Sequence, residues 1–229
     1  MSIETLDIVV ALIIAVVLHE LAHGVAARLL GDRTAQQAGR LTLNPIKHVD
    51  PFGSILVPLM LAAGQIATIG RIAFLYGWAK PVPVNPMQLQ LNGQRHPRQL
   101  MALVAAAGPL ANFALALLGG YLLSISQATA FLTDFIVINL TLGLFNLLPL
   151  PPMDGGRIAV GVLPLPAARL LARAEKAGIV LVLLVLFVVP TVLGQFGVVF
   201  DPFQAAMARV LPWAVDMILK VTGHSGGVS

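Results

Sequence analysis

The sequence contains no cysteine. A thiol nucleophile, thiolate metal ligands and disulfides are therefore excluded, although the compartment is not fixed by this absence. Charge is also scarce. Only 10% of the 229 residues are Asp, Glu, Lys or Arg, against about 25% in ordinary soluble domains. With 58% hydrophobic residues and a mean hydropathy of +0.89, so few charges cannot supply the polar skin that a soluble domain needs. The solvent for most of the surface is expected to be lipid. A clustered basic face is missing too. The 14 Lys and Arg give a net charge of +4 and a pI near 10.0, but they are spread through segments between apolar runs. This placement argues against a nucleic-acid partner and reads instead as a topology signal. There is no internal repeat, low-complexity linker or appended soluble domain. The expected organisation is one membrane-embedded domain over 1–229, with a core over 6–160 and C-terminal membrane segments over 178–220.

Apolar stretches fall at 6–30, 52–77, 100–125, 130–150 and 178–200, with a weaker one at 203–220. Each of the first five is near or above the roughly 20 residues a helix needs to cross hydrocarbon. The expected fold is an all-α polytopic membrane protein with about five or six transmembrane segments. Nothing basic precedes the first run, and it is longer than the apolar core of a secretory signal, so it is read as a mature membrane helix. Arg28, Arg33, Arg40 and Lys47 follow that helix. Lys80, Arg95 and Arg98 precede the run at 100–125, and Arg157, Arg169, Arg173 and Lys176 lie between 130–150 and 178–200. The acids Glu4, Asp7, Asp134 and Asp201 sit at the opposite ends. The positive-inside rule then makes the three basic segments cytoplasmic. The 52–77 run has a cytoplasmic segment on either side, so it cannot be one simple crossing. Gly53, Pro58, Gly64, Gly70 and Gly77 punctuate it, which predicts a re-entrant or broken element near a functional cavity.

The chemistry is carried by His19-Glu20-Leu21-Ala22-His23. On a helix, His19 and His23 are i and i+4 and share one face. Two imidazoles so spaced can hold one Zn²⁺, with Glu20 beside them as a general base for water. Ionisable residues within a membrane segment are costly, and a shared metal removes that penalty. A catalytic zinc usually takes a third protein ligand. The remaining histidines, His48, His96 and His224, fall in loops or the tail. Asp154 ends the segment Asn146-Leu-Leu-Pro-Leu-Pro-Pro-Met-Asp154-Gly155-Gly156, on the side to which the charges assign His19 and His23. Its prolines break the helix and its glycines allow a tight path that can turn the carboxylate inward. Asn146, close to Asp154, is read as an oxyanion donor. Asn112, midway along an apolar helix, is open to two readings: a contact with substrate backbone, or a hydrogen bond to a neighbouring helix. Gly108 and Pro109 read as packing or kink residues. The Pro-rich run 81–86 is either a semi-extended edge that holds an unwound substrate or a stiff connector. His48 and Asp50 are weaker candidates for groups that support or gate the site.

These motifs resemble the site-2 protease family of intramembrane metalloproteases. The match rests on His19 through His23, on Asn146 through Gly156, and on Ala107-Gly108-Pro109-Leu110-Ala111-Asn112, which is similar to the family's central-helix segment. Leu43-Asn44-Pro45, His48 through Gly53 and Gly77 through Pro86 resemble one compact prokaryotic branch. The resemblance covers about residues 10–160. It implies zinc on His19, His23 and Asp154, Glu20 as the base, and cleavage of membrane-spanning protein substrates in the cell membrane, with the site toward the cytoplasm. It also implies that Asn146 and Asn112 position substrate or stabilise the oxyanion. The sequence shows neither a PDZ insertion nor a cystathionine-synthase-like domain, so the resemblance gives no hint of substrate selection. From another class, the alternative is a non-proteolytic membrane metal-binding or metal-transport protein. A transporter needs two access paths and repeat-related helices, and the chain has one metal constellation and no repeat.

Overall fold

The structure is a computed structural model that describes residues 3–70, 77–94, 96–126, 128–175, 178, 180, 184, 188–196 and 202–224. Among these there is no β-strand beyond an isolated bridge between Leu91 and Gln94. The helices are α1 (Ile3–Leu29), a single turn α2 (Thr34–Gln37), α3 (Val57–Ile69), α4 (Pro97–Leu123), α5 (Thr129–Asn146), α6 (Asp154–Val162), α7 (Leu165–Ala174), α8 (Val189–Gln195) and α9 (Pro202–Val221). α1, α4 and α5 are long and apolar enough to cross a membrane. About half of the 178–200 run lies outside the described residues. The weaker 203–220 run forms α9, with Pro212 inside it.

α1, α4 and α5 pack against one another and form the centre of the molecule. The faces that α1 and α4 bury are rich in small residues, whereas α5 buries the larger Leu132, Phe135, Ile136 and Leu140. Ala11, Ala15 and Ala27 of α1, and Ala105, Gly108 and Ala116 of α4, are buried. The large apolar side chains Leu6, Ile8, Leu12, Ile13, Leu103 and Leu110 point outward. This inversion of the soluble pattern suits lipid, in which association rests on close backbone approach rather than on burial of bulky groups. α6 lies on α4 and α7 on α6, while α9 packs on α5 and α4 through Leu211, Ala214, Val215 and Ile218.

The 52–77 run starts with a π-helical turn at Pro51–Leu56 and continues into α3. Asp50 caps the turn by accepting from the amides of Phe52 and Gly53 at 2.9 and 2.8 Å. α3 ends at Gly70, whose φ of +71° is a left-handed helix cap. The chain is back beside its starting point by Trp78. The Trp78 amide donates to the Gly53 carbonyl at 3.2 Å, and the Ser54 hydroxyl donates to the Trp78 carbonyl at 2.8 Å. A segment whose ends bond to each other returns to the level it left, so it is not a single crossing.

From Gly77 to Asn85 the chain has no regular secondary structure, as prolines at 81, 83 and 86 dictate. It is tied to the end of α1 instead. Buried Asp32 accepts from the Asn85 amide at 2.6 Å and the Thr34 amide at 2.9 Å. The Gln90 amide donates to the Leu30 carbonyl at 2.7 Å.

Candidate metal centre

His19 and His23 project from the second half of α1 toward α4. There Gly108 faces them, and a Cβ at this position would lie 2.5 Å from His23 Nε2 and 2.6 Å from His19 Nε2. Asp154 reaches the same point from the first turn of α6. The chain between α5 and α6 doubles back so closely that a Cβ on Gly155 or Gly156 would collide with the backbone of residues 147–151. The three groups converge tightly. His19 Nε2 and His23 Nε2 lie 3.1 and 3.2 Å from Asp154 Oδ2, and the two nitrogens are 3.1 Å apart. The rings stand nearly perpendicular, at 88°. His19 and Asp154 are only 5% and 6% exposed, so the cluster is shielded from bulk solvent.

The outer nitrogens fix the tautomers. His19 Nδ1 lies 2.6 Å from Asn112 Oδ1, and His23 Nδ1 lies 2.8 Å from the Val104 carbonyl. Both partners are acceptors, so each Nδ1 carries the proton and each Nε2 presents a lone pair. Two lone pairs and a carboxylate oxygen then face one another, and Asp154 Oδ2 is buried with no hydrogen-bond donor. A bound metal cation reconciles that arrangement. Ligand atoms about 2.0–2.1 Å from a tetrahedral zinc stand roughly 3.3 Å apart, close to the observed triangle. Two imidazoles and one carboxylate are a donor set for catalytic zinc. The residues fit the metal.

Glu20 sits beside the cluster. Its Oε2 accepts from the Val82 amide at 2.9 Å, and its other oxygen has no partner among the described residues. A cavity of about 370 Å³ opens over these groups. Val16, Trp78, Val82, Met101, Phe145 and Met153 give it a largely apolar lining. The 77–84 segment supplies one wall, so the Pro-rich run borders the site. Asn146 also lines the cavity. One of its N–H groups bonds back to the Leu142 carbonyl at 3.0 Å, which leaves the second without a partner among the described residues. Arg157, one turn beyond Asp154, is at the rim and pairs with Glu175 at 3.0 Å.

Asn112 lies elsewhere than a substrate contact requires. It is fully buried behind the His19 ring and does not line the cavity. Its amide nitrogen donates to the Ala15 carbonyl at 3.3 Å and to Asn139 Oδ1 at 2.9 Å. Of its two readings, the hydrogen bond to neighbouring helices is the one observed. His48 is buried and bonds to the Thr42 carbonyl at 2.9 Å, and Asp50 caps the turn before α3. Neither borders the cavity. Sequence reasoning passed over Asn139, Asp32 and the Val82 amide. Asn139 left a signal, as a buried amide within an apolar run; a backbone N–H leaves none.

A helical membrane protein that presents two histidines one turn apart, a glutamate beside them and a convergent aspartate belongs to the zinc metallopeptidases. Residues 7–130 and 122–190 match peptidase family M50, and the chain belongs to that family of site-2-type proteases. It is 42% identical over 196 residues to "Putative zinc metalloprotease YwhC" of Bacillus subtilis, a match that spans 80% of each chain. It is 31% identical over 206 residues to "Putative zinc metalloprotease Rip2" of Mycobacterium tuberculosis, across 84% of this chain and 71% of the relative. No solved structure matches the chain.

Proposed function

We propose that the protein hydrolyses peptide bonds within or near the transmembrane helices of membrane-protein substrates, using zinc held by His19, His23 and Asp154. The observation that carries this reading is the triangle of two imidazole lone pairs and one carboxylate oxygen, all within 3.2 Å, beneath an apolar cavity. Zinc bound there supplies the Lewis acidity that makes water a nucleophile near neutral pH.

The remaining work falls to the protein. The apolar walls accept side chains of a membrane segment and keep bulk water away from the carboxylate and imidazoles. The Val82 amide holds one Glu20 oxygen, which aims the other at the attacking water. Glu20 takes that water's proton and returns it to the departing amine. Asn146, with an unspent N–H in the cavity, is the donor for the developing oxyanion. Asn112 has no N–H to spare for that role. Arg28, Arg33 and Arg40 follow the histidines in sequence, so the positive-inside rule puts the cavity toward the cytoplasm of the cell membrane.

Glu20→Gln separates binding from chemistry. The purified variant is expected to retain zinc as wild type does and to cleave a reconstituted membrane-spanning substrate at least about 100-fold more slowly, the scale of a general base. A Glu20→Gln protein that cuts at the wild-type rate contradicts the mechanism.

A further inference from the structure

His23 and His19 are oriented by different means. His23 Nδ1 meets a backbone carbonyl, that of Val104, which can only accept. His19 Nδ1 meets a side-chain amide. Asn112 could present either its oxygen or its NH₂ group at that spot with almost no change of shape. With oxygen toward the ring, Nδ1 carries the proton and Nε2 is free to bind metal. With NH₂ toward the ring, Nδ1 must accept, and the proton moves to Nε2, where the metal belongs. Something beyond Asn112 therefore has to set its direction.

We infer that Asn139 is a positioning residue for the metal centre, fixing the Asn112 amide and through it the tautomer of His19. The hydrogen bonds run one way. The Asn139 amide nitrogen donates to the Phe135 carbonyl one turn earlier on α5, at 2.9 Å. Its oxygen is thereby turned to accept from Asn112 Nδ2 at 2.9 Å. The oxygen of Asn112 is then turned to His19 Nδ1 at 2.6 Å. Reversing Asn112 alone would set its oxygen against Asn139 Oδ1 and the Ala15 carbonyl. Reversing both amides would set Asn139 oxygen against the Phe135 carbonyl. The direction thus originates in backbone carbonyls of α5 and α1, which cannot reverse. Both asparagines are 0% exposed, so water cannot substitute for a missing partner. The Ala15 carbonyl also orients Asn112, but at 3.3 Å it is the longer of the two contacts.

This inference rests on the reading of His19 as a metal ligand, and one experiment separates the two. Zinc affinity is measured on the full chain in detergent by competition with a chromogenic chelator, for wild type, Asn139→Leu and Asn139→Asp. Asn139→Leu removes the acceptor and is expected to weaken zinc binding by about 10–100-fold, the usual effect of losing a group that supports a ligand. Asn139→Asp, as the neutral acid, keeps both an acceptor for Asn112 and a donor for Phe135, and should restore most of the affinity. Histidine nitrogen NMR of the zinc-free protein should show His19 protonated at Nδ1 in wild type and a mixture of protonated and unprotonated Nδ1 in Asn139→Leu. Wild type that binds no zinc defeats the metal reading itself. A folded Asn139→Leu that binds zinc as tightly as wild type overturns the role of Asn139 alone. Should that variant not fold, the wild-type spectrum decides, and an unprotonated His19 Nδ1 overturns it.

Discussion

Any side chain at position 108 would stand among the imidazole tips. Gly108→Ala puts a methyl group 2.5 Å from His23 Nε2, closer than real contacts allow. α1 and α4 pack through small residues, so the backbones have little room to part, and the rings can relieve the clash only by swinging toward the cavity and out of their present geometry. The expected result is a folded protein whose zinc affinity falls by at least about tenfold, in line with other disturbances of ligand geometry; chelator competition beside a thermal melt measures both. Unchanged affinity would mean that the imidazoles lie elsewhere in the working protein. The residue scale is also where the sequence was most legible. His19, Glu20 and His23 declare themselves by helical spacing, because i and i+4 share a face whatever the tertiary structure. Asp154 needed the charge distribution as well, since an Asp-Gly pair alone is an ordinary turn. Asn112 was ambiguous because an amide in an apolar helix has the same sequence appearance whether it faces a ligand or a helix. Only its neighbours across α1 and α5 decide.

Two elements brought to the site by return of the chain carry the predictions at the next scale. The 77–85 segment is held to α1 by Asp32 and meets Glu20 through the Val82 amide. Val82→Pro deletes that N–H within a run that already alternates with proline. Turnover is expected to drop roughly 10–100-fold, because the general base loses its aim, while zinc content stays at the wild-type level. Equal turnover would show that the contact is incidental. The Pro51–Trp78 excursion makes a separate prediction. The lack of native cysteine permits single-cysteine labelling without background. Ile46→Cys and Met87→Cys should react with an impermeant maleimide from the same face of the membrane, and Ser126→Cys from the other. Labelling of positions 46 and 87 from opposite faces would contradict the return of the chain at Trp78. Punctuation by glycine and proline made the break in this run visible in sequence. The bonds that close it, Trp78 to Gly53 and Ser54 to Trp78, were not visible, because they use backbone groups that every residue shares.

At the scale of the whole molecule, α1 and α4 approach through alanine and glycine and turn many leucines and isoleucines outward, while α5 adds a buried layer of Leu132, Phe135, Ile136 and Leu140. Composition alone announced the lipid solvent. The close packing it permits lets α1, α4 and α6 bring groups separated by more than a hundred positions to one point. At 1.5 Å per residue, His23 and His19 lie roughly 9 and 15 Å from the C-terminal end of α1. A site at that depth needs the cavity walled by the 77–84 segment to admit water and peptide. Most directly testable is the claim that one zinc joins α1 to α6. X-ray absorption and metal analysis of the purified chain should be run beside His19→Ala, His23→Ala and Asp154→Ala variants. The expected result is about one zinc per chain, with nitrogen and oxygen ligands at about 2.0–2.2 Å including two imidazoles, and a large loss of metal in each variant. Full zinc retention by Asp154→Ala, with an unaltered absorption spectrum, would contradict the convergence on which the proposed chemistry depends.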